Sequence, residues 1–279
     1  MSSPASPPSP NREATPAPPN LLAQASFGSS PQRDRLNLLA GIVADIDHTM
    51  LKQTTTTSDL KLLCAEALLA KASLGVGPKA VCVNSSDVAY CVEQLAGSGI
   101  AVCSVVGFPL GKMLTSAKVD ETKAALAAGA REIDMVLNVG ALKAGQHQYV
   151  QEEMRQIATA CHAGQALLKV IIETCNLTEP EKITACRLAE AAGADFVKTS
   201  TGTERAGATI ADVTLMRQCV SPQVQVKAAG GMKTPEDAVA MRRAGANRFG
   251  SSGLLKTILT EIGAKTGDGG ADAPGQGSY

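Results

Sequence analysis

The chain has 279 residues and carries 26 basic and 26 acidic side chains, so its formal net charge is zero. That balance gives no electrostatic reason to expect nucleic acid or an anionic membrane surface as a partner. No apolar run reaches the ~18 residues of a membrane span. Hydrophobic residues make up 44% of the chain, enough for a sizeable core, but aromatics are only 3% and Trp is absent. Ala, Val, Leu and Ile must therefore fill the interior, a composition that suits alternating strands and helices.

Seven of the 14 prolines fall within residues 4 to 19. Residues 1–34 therefore read as a disordered Pro/Ser-rich tail. The tail lacks the apolar core of a secretory signal, although its Ser-rich, acid-poor composition leaves an organelle address open. Eight cysteines occur without a C-x-x-C pair, mostly inside apolar runs such as Ala80-Val81-Cys82-Val83. They read as small buried hydrophobes of a reducing compartment, which places the protein in the cytoplasm. Three scattered histidines give no metal-ligand spacing, so no metal or cofactor is expected.

From about residue 36, β-branched runs alternate with Ala/Leu-rich amphipathic stretches. The pattern predicts strands at 43–47, 80–83, 102–107, 132–138, 167–173, 196–200, 224–229 and 247–251. It predicts helices at 58–73, 86–97, 115–128, 148–162, 179–192, 209–219, 235–244 and 253–262. Thr178-Glu179-Pro180-Glu181 and Thr234-Pro235-Glu236-Asp237 have the form of capping boxes with an early Pro, and Ser58-Asp59 opens the first predicted helix. Eight β-then-α units in about 230 residues point to an α/β fold, a single (β/α)8 TIM barrel over residues 35–262. The rival, a doubly wound open sheet, usually places a G-x-G-x-x-G after its first strand. Here that strand ends in Asp45-Ile46-Asp47-His48-Thr49. Residues 263–279 read as a flexible tail ending in Tyr279.

A weak internal repeat runs through the pattern. Ala-Gly-Ala recurs at 128–130, 192–194 and 244–246. Five residues after each central Gly lie Asp134, Lys198 and Gly250, each in mid-strand.

Strand side chains alternate between faces. On the apolar phase each strand is expected to face the helices, which turns Asp45, Asp47, Glu132, Asp134, Asn138, Lys169, Glu173, Lys198, Ser200 and Lys227 into the lumen. A buried lysine is costly unless paired, so such a lumen is either a self-balancing polar plug or a reaction site. A lysine amine titrates near 10.4 in water, and a neighbouring ammonium or a dry wall lowers that value. Lys198 and Lys227 on adjacent strands, with Asp134 close by, suggest metal-free carbonyl chemistry through an imine. The loops after strands seven and eight, Gly230-Gly231-Met232-Lys233 and Gly250-Ser251-Ser252-Gly253, lie where barrels commonly bind phosphate. Each taken alone is also compatible with an ordinary turn.

Several of these segments together resemble deoxyribose-phosphate aldolases. They are Phe196-Val197-Lys198-Thr199-Ser200-Thr201-Gly202, Val226-Lys227-Ala228-Ala229-Gly230-Gly231, Glu132-Ile133-Asp134-Met135-Val136, Leu168–Thr174, Ile46-Asp47-His48-Thr49 and Val106-Gly107-Phe108-Pro109. The resemblance spans residues 40 to 255 and implies a class I, Schiff-base aldolase. Its substrate would be 2-deoxy-D-ribose 5-phosphate, and its products D-glyceraldehyde 3-phosphate and acetaldehyde.

By the same resemblance Lys198 forms the imine, and Asp134 and Lys227 relay protons, with Lys227 lowering the basicity of Lys198. Gly202, Gly230, Gly231, Ser251 and Ser252 would contact phosphate, and Asp47, Lys169 and Thr199 would complete the substrate site. Some members carry a lysine where this chain has Thr203, so Lys233, Arg205 or backbone donors would take over that contact. A C-terminal tyrosine assists enamine protonation in some members, which gives Tyr279 a catalytic role. The family also implies a homodimer, with no interface legible in the pattern. The rivals are another Schiff-base aldolase or transaldolase acting on a different phosphorylated sugar, and a non-catalytic sugar-phosphate-binding barrel.

Overall fold

The structure, a computed structural model, describes Asn20 and residues 30–266. Tyr279, most of the N-terminal tail and residues 267–279 lie outside the described residues. Eight parallel strands close into a barrel in chain order, β1 next to β2 and so on round to β8, which returns to β1. The strands are β1 (Ile46–Thr49), β2 (Ala80–Val83), β3 (Ala101–Val106), β4 (Glu132–Val136), β5 (Leu167–Ile171), β6 (Phe196–Lys198), β7 (Gln225–Ala229) and β8 (Arg248–Ser251).

The helices on the outside are α1 (Ser30–Val43), α2 (Thr57–Leu74), α3 (Val88–Gln94), α4 (Thr115–Ala127), α5 (Val139–Lys143), α6 (His147–Ala163), α7 (Glu179–Ala191), α8 (Ile210–Cys219), α9 (Pro235–Arg243) and α10 (Leu254–Glu261). Two of them, α1 and α5, have no counterpart in the sequence pattern. In α1, Arg35 ion-pairs with Glu236 of α9 and Glu261 of α10, so this helix packs across the junction of the last two units. The short α5 is capped by Asn138, whose side chain accepts the Ala141 N–H at 3.0 Å. That use takes Asn138 out of β4, where the alternation had extended it.

The helix starts follow local chemistry. Thr56, rather than Ser58, caps α2, with the Asp59 carboxylate returning the bond to the Thr56 N–H at 2.7 Å. Thr178 with Glu181 and Thr234 with Asp237 close the same reciprocal box at α7 and α9.

The core has two parts. The larger fills the space between barrel and helices, where the apolar strand phase lies: Val81, Ile133, Leu168, Val170, Val197 and Val226 are all fully buried. A smaller cluster of Ala80, Cys82, Cys103 and Val105 lies inside the lumen against β2 and β3. The remaining lumen is charged. One side of the barrel interior is therefore apolar and the other ionic, which fixes where polar chemistry takes place.

Candidate active site

The register of the strands sets the ionic half. Lys198 pairs across with Lys227, Asp134 with Lys169, and Lys227 with Arg248. Side chains at matching steps of neighbouring strands meet on the same face, so the lumen phase brings four cations and three carboxylates together. Asp134 is the hub. Its Oδ2 lies 2.6 Å from Lys198 Nζ and 2.7 Å from Lys227 Nζ, while its Oδ1 takes Lys169 Nζ at 2.7 Å. Asp47 accepts from Lys227 and, through Oδ1 at 2.7 Å, from Arg248. Glu132 closes the lower layer, 2.6 Å from Lys169 and 2.8 Å from Arg248. The Arg248 guanidinium stacks over the Phe196 ring at 5.2 Å, giving it an apolar face to rest on.

The charges hold one another in their ionised forms. Burial pushes the Asp134 carboxyl up, but Lys169, Lys198 and Lys227 together pull it well below the usual carboxylate range. Asp47 follows the same logic, with Lys227, Lys169 and Arg248 outweighing burial. Burial lowers the Lys227 ammonium, and the Asp134 and Asp47 carboxylates more than reverse that shift. Lys169 is likewise held above its ordinary value despite burial, chiefly by Asp134. Asp134 Oδ2 is bonded to both the Lys198 and the Lys227 ammonium groups.

One thiol touches the hub and a second lies nearby. Cys103 Sγ lies 3.2 Å from Asp134 Oδ1 and 3.3 Å from Lys169 Nζ. Cys82, Cys103 and Asp134 place ligand atoms within 4.8 Å of one another, as do Asp47, Cys103 and Glu132. A cation bound there would compete with four fixed positive charges for the same oxygens, so the set is a poor metal site.

Above the hub a cleft, partly open to solvent, lies at the C-terminal end of the barrel. Lys198 is on its wall, with Gly202, Gly230, Ser251 and Ser252. Lys169 and Lys227 are fully buried beneath and do not line it. Gly230 has φ +80°, and a Cβ there would come within 3.1 Å of Gly207 Cα. The two loops meet backbone to backbone, which only glycine allows. Gly250 makes room in a second sense: a Cβ would sit 3.1 Å from Lys227 Cε.

The remaining residues singled out from sequence divide. Ser251 spends its hydroxyl on structure, accepting the Gly253 and Leu254 N–H groups at the start of α10 and donating to Met232 O. Thr199 faces sideways, its hydroxyl stapling β6 to β7 through the Ala229 N–H and C=O, and Gly231 lies outside the cleft wall. Asp45 is not in the lumen; it pairs with Arg242 at 2.8 Å at the far end of the barrel.

Glu173 has left β5 and takes a left-handed conformation, φ 56°, which is rare for a residue with a side chain. There it accepts the Thr201 N–H at 3.1 Å and the Thr201 hydroxyl at 2.5 Å, so it shapes the loop that carries Gly202. Burial pushes its carboxyl up, opposed by those two bonds. Arg205 donates to the Cys175 carbonyl, and neither it nor Lys233 lines the cleft.

A family model described as "DeoC/LacD family aldolase" matches residues 42–260. The chain belongs to that aldolase family. A deoxyribose-phosphate aldolase of Streptococcus uberis is 52% identical over 216 residues, covering 77% of this chain and 94% of the relative. One from Bacillus mycoides is 48% identical over the same shares. Among solved structures, a tetrameric deoxyribose phosphate aldolase from Aeropyrum pernix aligns with TM-score 0.71 at 28% identity, over 84% of this chain and 98% of that one. Among the described residues, no helix is long and apolar enough to cross a membrane.

Arg248 and Cys103 escaped sequence reasoning in this aldolase. Arg248 shares strand phase with Gly250, which was legible, but it reads as a surface cation at a strand start. Cys103 reads as one more small apolar residue, and only the β3–β4 register, which aligns it with Glu132, exposes its contact.

Proposed function

We propose that the protein is a class I aldolase that reversibly cleaves 2-deoxy-D-ribose 5-phosphate to D-glyceraldehyde 3-phosphate and acetaldehyde, with Lys198 as the imine-forming nucleophile. One observation carries the assignment of Lys198: of the three lumen lysines it alone lines the open cleft, while its amine bonds the buried Asp134. Charge balance supports it. The ion-paired set holds Lys169, Lys198, Lys227 and Arg248 against Asp47, Glu132 and Asp134, four cations to three anions. Lys198 has one carboxylate partner, whereas Lys227 has two and Lys169 three. Loss of one proton from Lys198 makes the set neutral and yields the free amine that attack on a carbonyl requires.

The chemistry then runs through neighbouring atoms. The Lys198 amine adds to the open-chain aldehyde at C1, and water leaves to give a protonated imine. Acetaldehyde takes two carbons and the phosphorylated aldehyde three, so the bond that breaks is C2–C3. The C3 hydroxyl gives its proton to the Asp134–Lys227 pair while the bonding electrons move into the imine, forming an enamine. The same pair, hydrogen-bonded to Lys198, is placed to return a proton to C2. Hydrolysis of the imine releases acetaldehyde and restores the amine.

Gly202, Gly230 and Ser252 form the phosphate end of the cleft. Tyr279 is proposed as an additional proton donor to the enamine; deleting it should slow proton exchange at the acetaldehyde methyl group, and an unchanged rate removes it from the mechanism. A homodimer and a cytoplasmic location complete the proposal, the first read by light scattering in solution and the second by cell fractionation.

Borohydride reduction in the presence of deoxyribose 5-phosphate tests the core of this reading. The expected result is a covalent adduct on the peptide containing Lys198 and on no other. An adduct elsewhere removes Lys198 from the role, and release of no acetaldehyde from this sugar rules out the substrate.

A further inference from the structure

Lys52 is the unexplained charge at the active site. It follows β1 on the Met50-Leu51-Lys52 segment and lines the cleft together with Gly202 and Gly230. Of the residues on the cleft wall, only Lys52 and Lys198 carry charge. Lys198 is committed to the carbonyl end in the proposed reaction. A sugar phosphate brings up to two negative charges into this cleft, and backbone N–H groups alone would leave that charge without a cation. Arg205 and Lys233, the cations nearest in sequence to the phosphate loops, are not on the wall. Among the described residues the Lys52 ammonium makes no ion pair, and its one resolved electrostatic effect is a weak pull on the exposed Asp59.

The segment that carries Lys52 is fixed. The Met50 N–H donates to Cys82 O at 2.9 Å, extending the β1–β2 pairing past the end of the strand. The Lys52 carbonyl accepts from the Thr55 N–H at 3.1 Å and the Thr55 hydroxyl at 2.8 Å, which closes the turn into α2. The backbone is thus held at both ends while the side chain stays exposed at the rim. A long flexible ammonium on a fixed base suits capture of a phosphate as a point charge.

We propose that Lys52 is the cation that recognises the substrate phosphate, contributed by the β1–α2 loop and acting as a specificity residue rather than a catalytic one. This rests on the proposed aldolase reading for the identity of the substrate, but not for the presence of an anion site. The side chain reaches the anion from the β1 side, next to the loop after β8 and on the same cleft wall as the loops after β6 and β7. The phosphate is then held between a charge and a set of amides, and discrimination against unphosphorylated sugars lies mainly with one side chain.

The test compares wild type, K52Q and K52R on 2-deoxyribose 5-phosphate and on unphosphorylated 2-deoxyribose, with isothermal titration of inorganic phosphate alongside. A charge-assisted bond is worth about 1.5–3 kcal/mol, which is roughly a ten- to hundredfold effect. K52Q should lower the ratio of kcat/KM for the phosphorylated over the plain sugar by about that factor. The loss should appear in KM, inorganic phosphate should bind correspondingly more weakly, and K52R should recover most of both. An equal loss on both sugars would make Lys52 structural, and an unchanged ratio would make it irrelevant to phosphate; either overturns the proposal. If wild type cleaves neither sugar, the aldolase reading fails, and phosphate titration still decides the anion site. Binding that K52Q leaves intact, or no binding by wild type, sinks it.

Discussion

Asp134 Oδ2 serves Lys198 Nζ at 2.6 Å and Lys227 Nζ at 2.7 Å. One carboxylate oxygen is therefore shared by the proposed nucleophile and a second ammonium that is fully buried. A shared oxygen lets a proton pass between the two amines without a solvent molecule. D134N keeps the shape but removes the charge and the basic oxygen. Turnover should fall by about 10²–10⁴, the usual worth of general acid–base catalysis. Steady-state kcat on deoxyribose 5-phosphate is the measurement, and a fall of less than tenfold would take Asp134 out of the proton path.

The lower layer has a different duty. Arg248 holds Asp47 Oδ1 at 2.7 Å and Glu132 at 2.8 Å, with the guanidinium almost wholly buried. R248M leaves two buried carboxylates short of a partner, and removing one member of a buried pair costs about 3–5 kcal/mol. The midpoint of urea unfolding should shift down accordingly. R248M/E132L removes a charge of each sign and should recover part of the loss, as a coupled pair requires. Additive losses would mean that the two residues do not act together.

Much of this arrangement was legible because two periodicities coincide. Strand alternation alone placed Asp47, Glu132, Asp134, Lys169, Lys198 and Lys227 in the lumen, and the helix–strand rhythm closed the barrel. What stayed hidden depends on long-range facts. The sideways turn of Thr199 follows from its bonds to Ala229, one strand over. Glu173 leaves the strand because its side chain is claimed by Thr201, 28 residues later. Asp45 faces the outside because Arg242 waits there, 197 residues away. None of these partners is signalled by local pattern, and Lys52 reads from sequence as an ordinary surface lysine.

Acid should unfold the barrel through its lumen. Asp47 and Asp134 lie below their ordinary value of 3.8 in the fold, because the lysines outweigh burial. Both recover that value on unfolding, so the unfolded chain binds more protons in this range. The stabilisation is therefore complete above about pH 4 and is lost as pH falls toward the depressed folded values. Denaturation midpoints measured from pH 7 to pH 2 should hold level and then drop below about 4. The drop should be shallower in D47N, and an identical slope would place the acid sensitivity elsewhere.

Outside the lumen, Lys118 of α4 is fully buried and bonds Glu153 of α6 and the Val136 carbonyl, both at 2.8 Å. Burial lowers its ammonium and Glu153 opposes the shift. K118M should cost about 3–5 kcal/mol, since Glu153 would keep a buried charge. K118M/E153L should be markedly less damaging, because an apolar pair can replace a buried ion pair at little cost. Both variants should retain near-normal kcat, as the pair lies on the helical shell. A fall in kcat with unchanged stability would link α4 and α6 to the reaction.

The Gly230–Gly207 contact gives the sharpest separation of binding from chemistry. G230A puts a methyl group at φ +80°, a conformation that costs an L-residue about 1–2 kcal/mol, and sets it 3.1 Å from Gly207 Cα. The loop after β7 must shift, and it carries amides of the proposed phosphate end, whereas Asp134 and Lys198 lie a layer below. KM for deoxyribose 5-phosphate should rise about tenfold for ~1.4 kcal/mol of lost contact, with kcat changing much less. The unphosphorylated sugar should lose less than the phosphorylated one. Equal losses on both would mean that the shift reaches Lys227 through the β7 backbone, and the loop would then be part of the catalytic frame rather than a phosphate cradle.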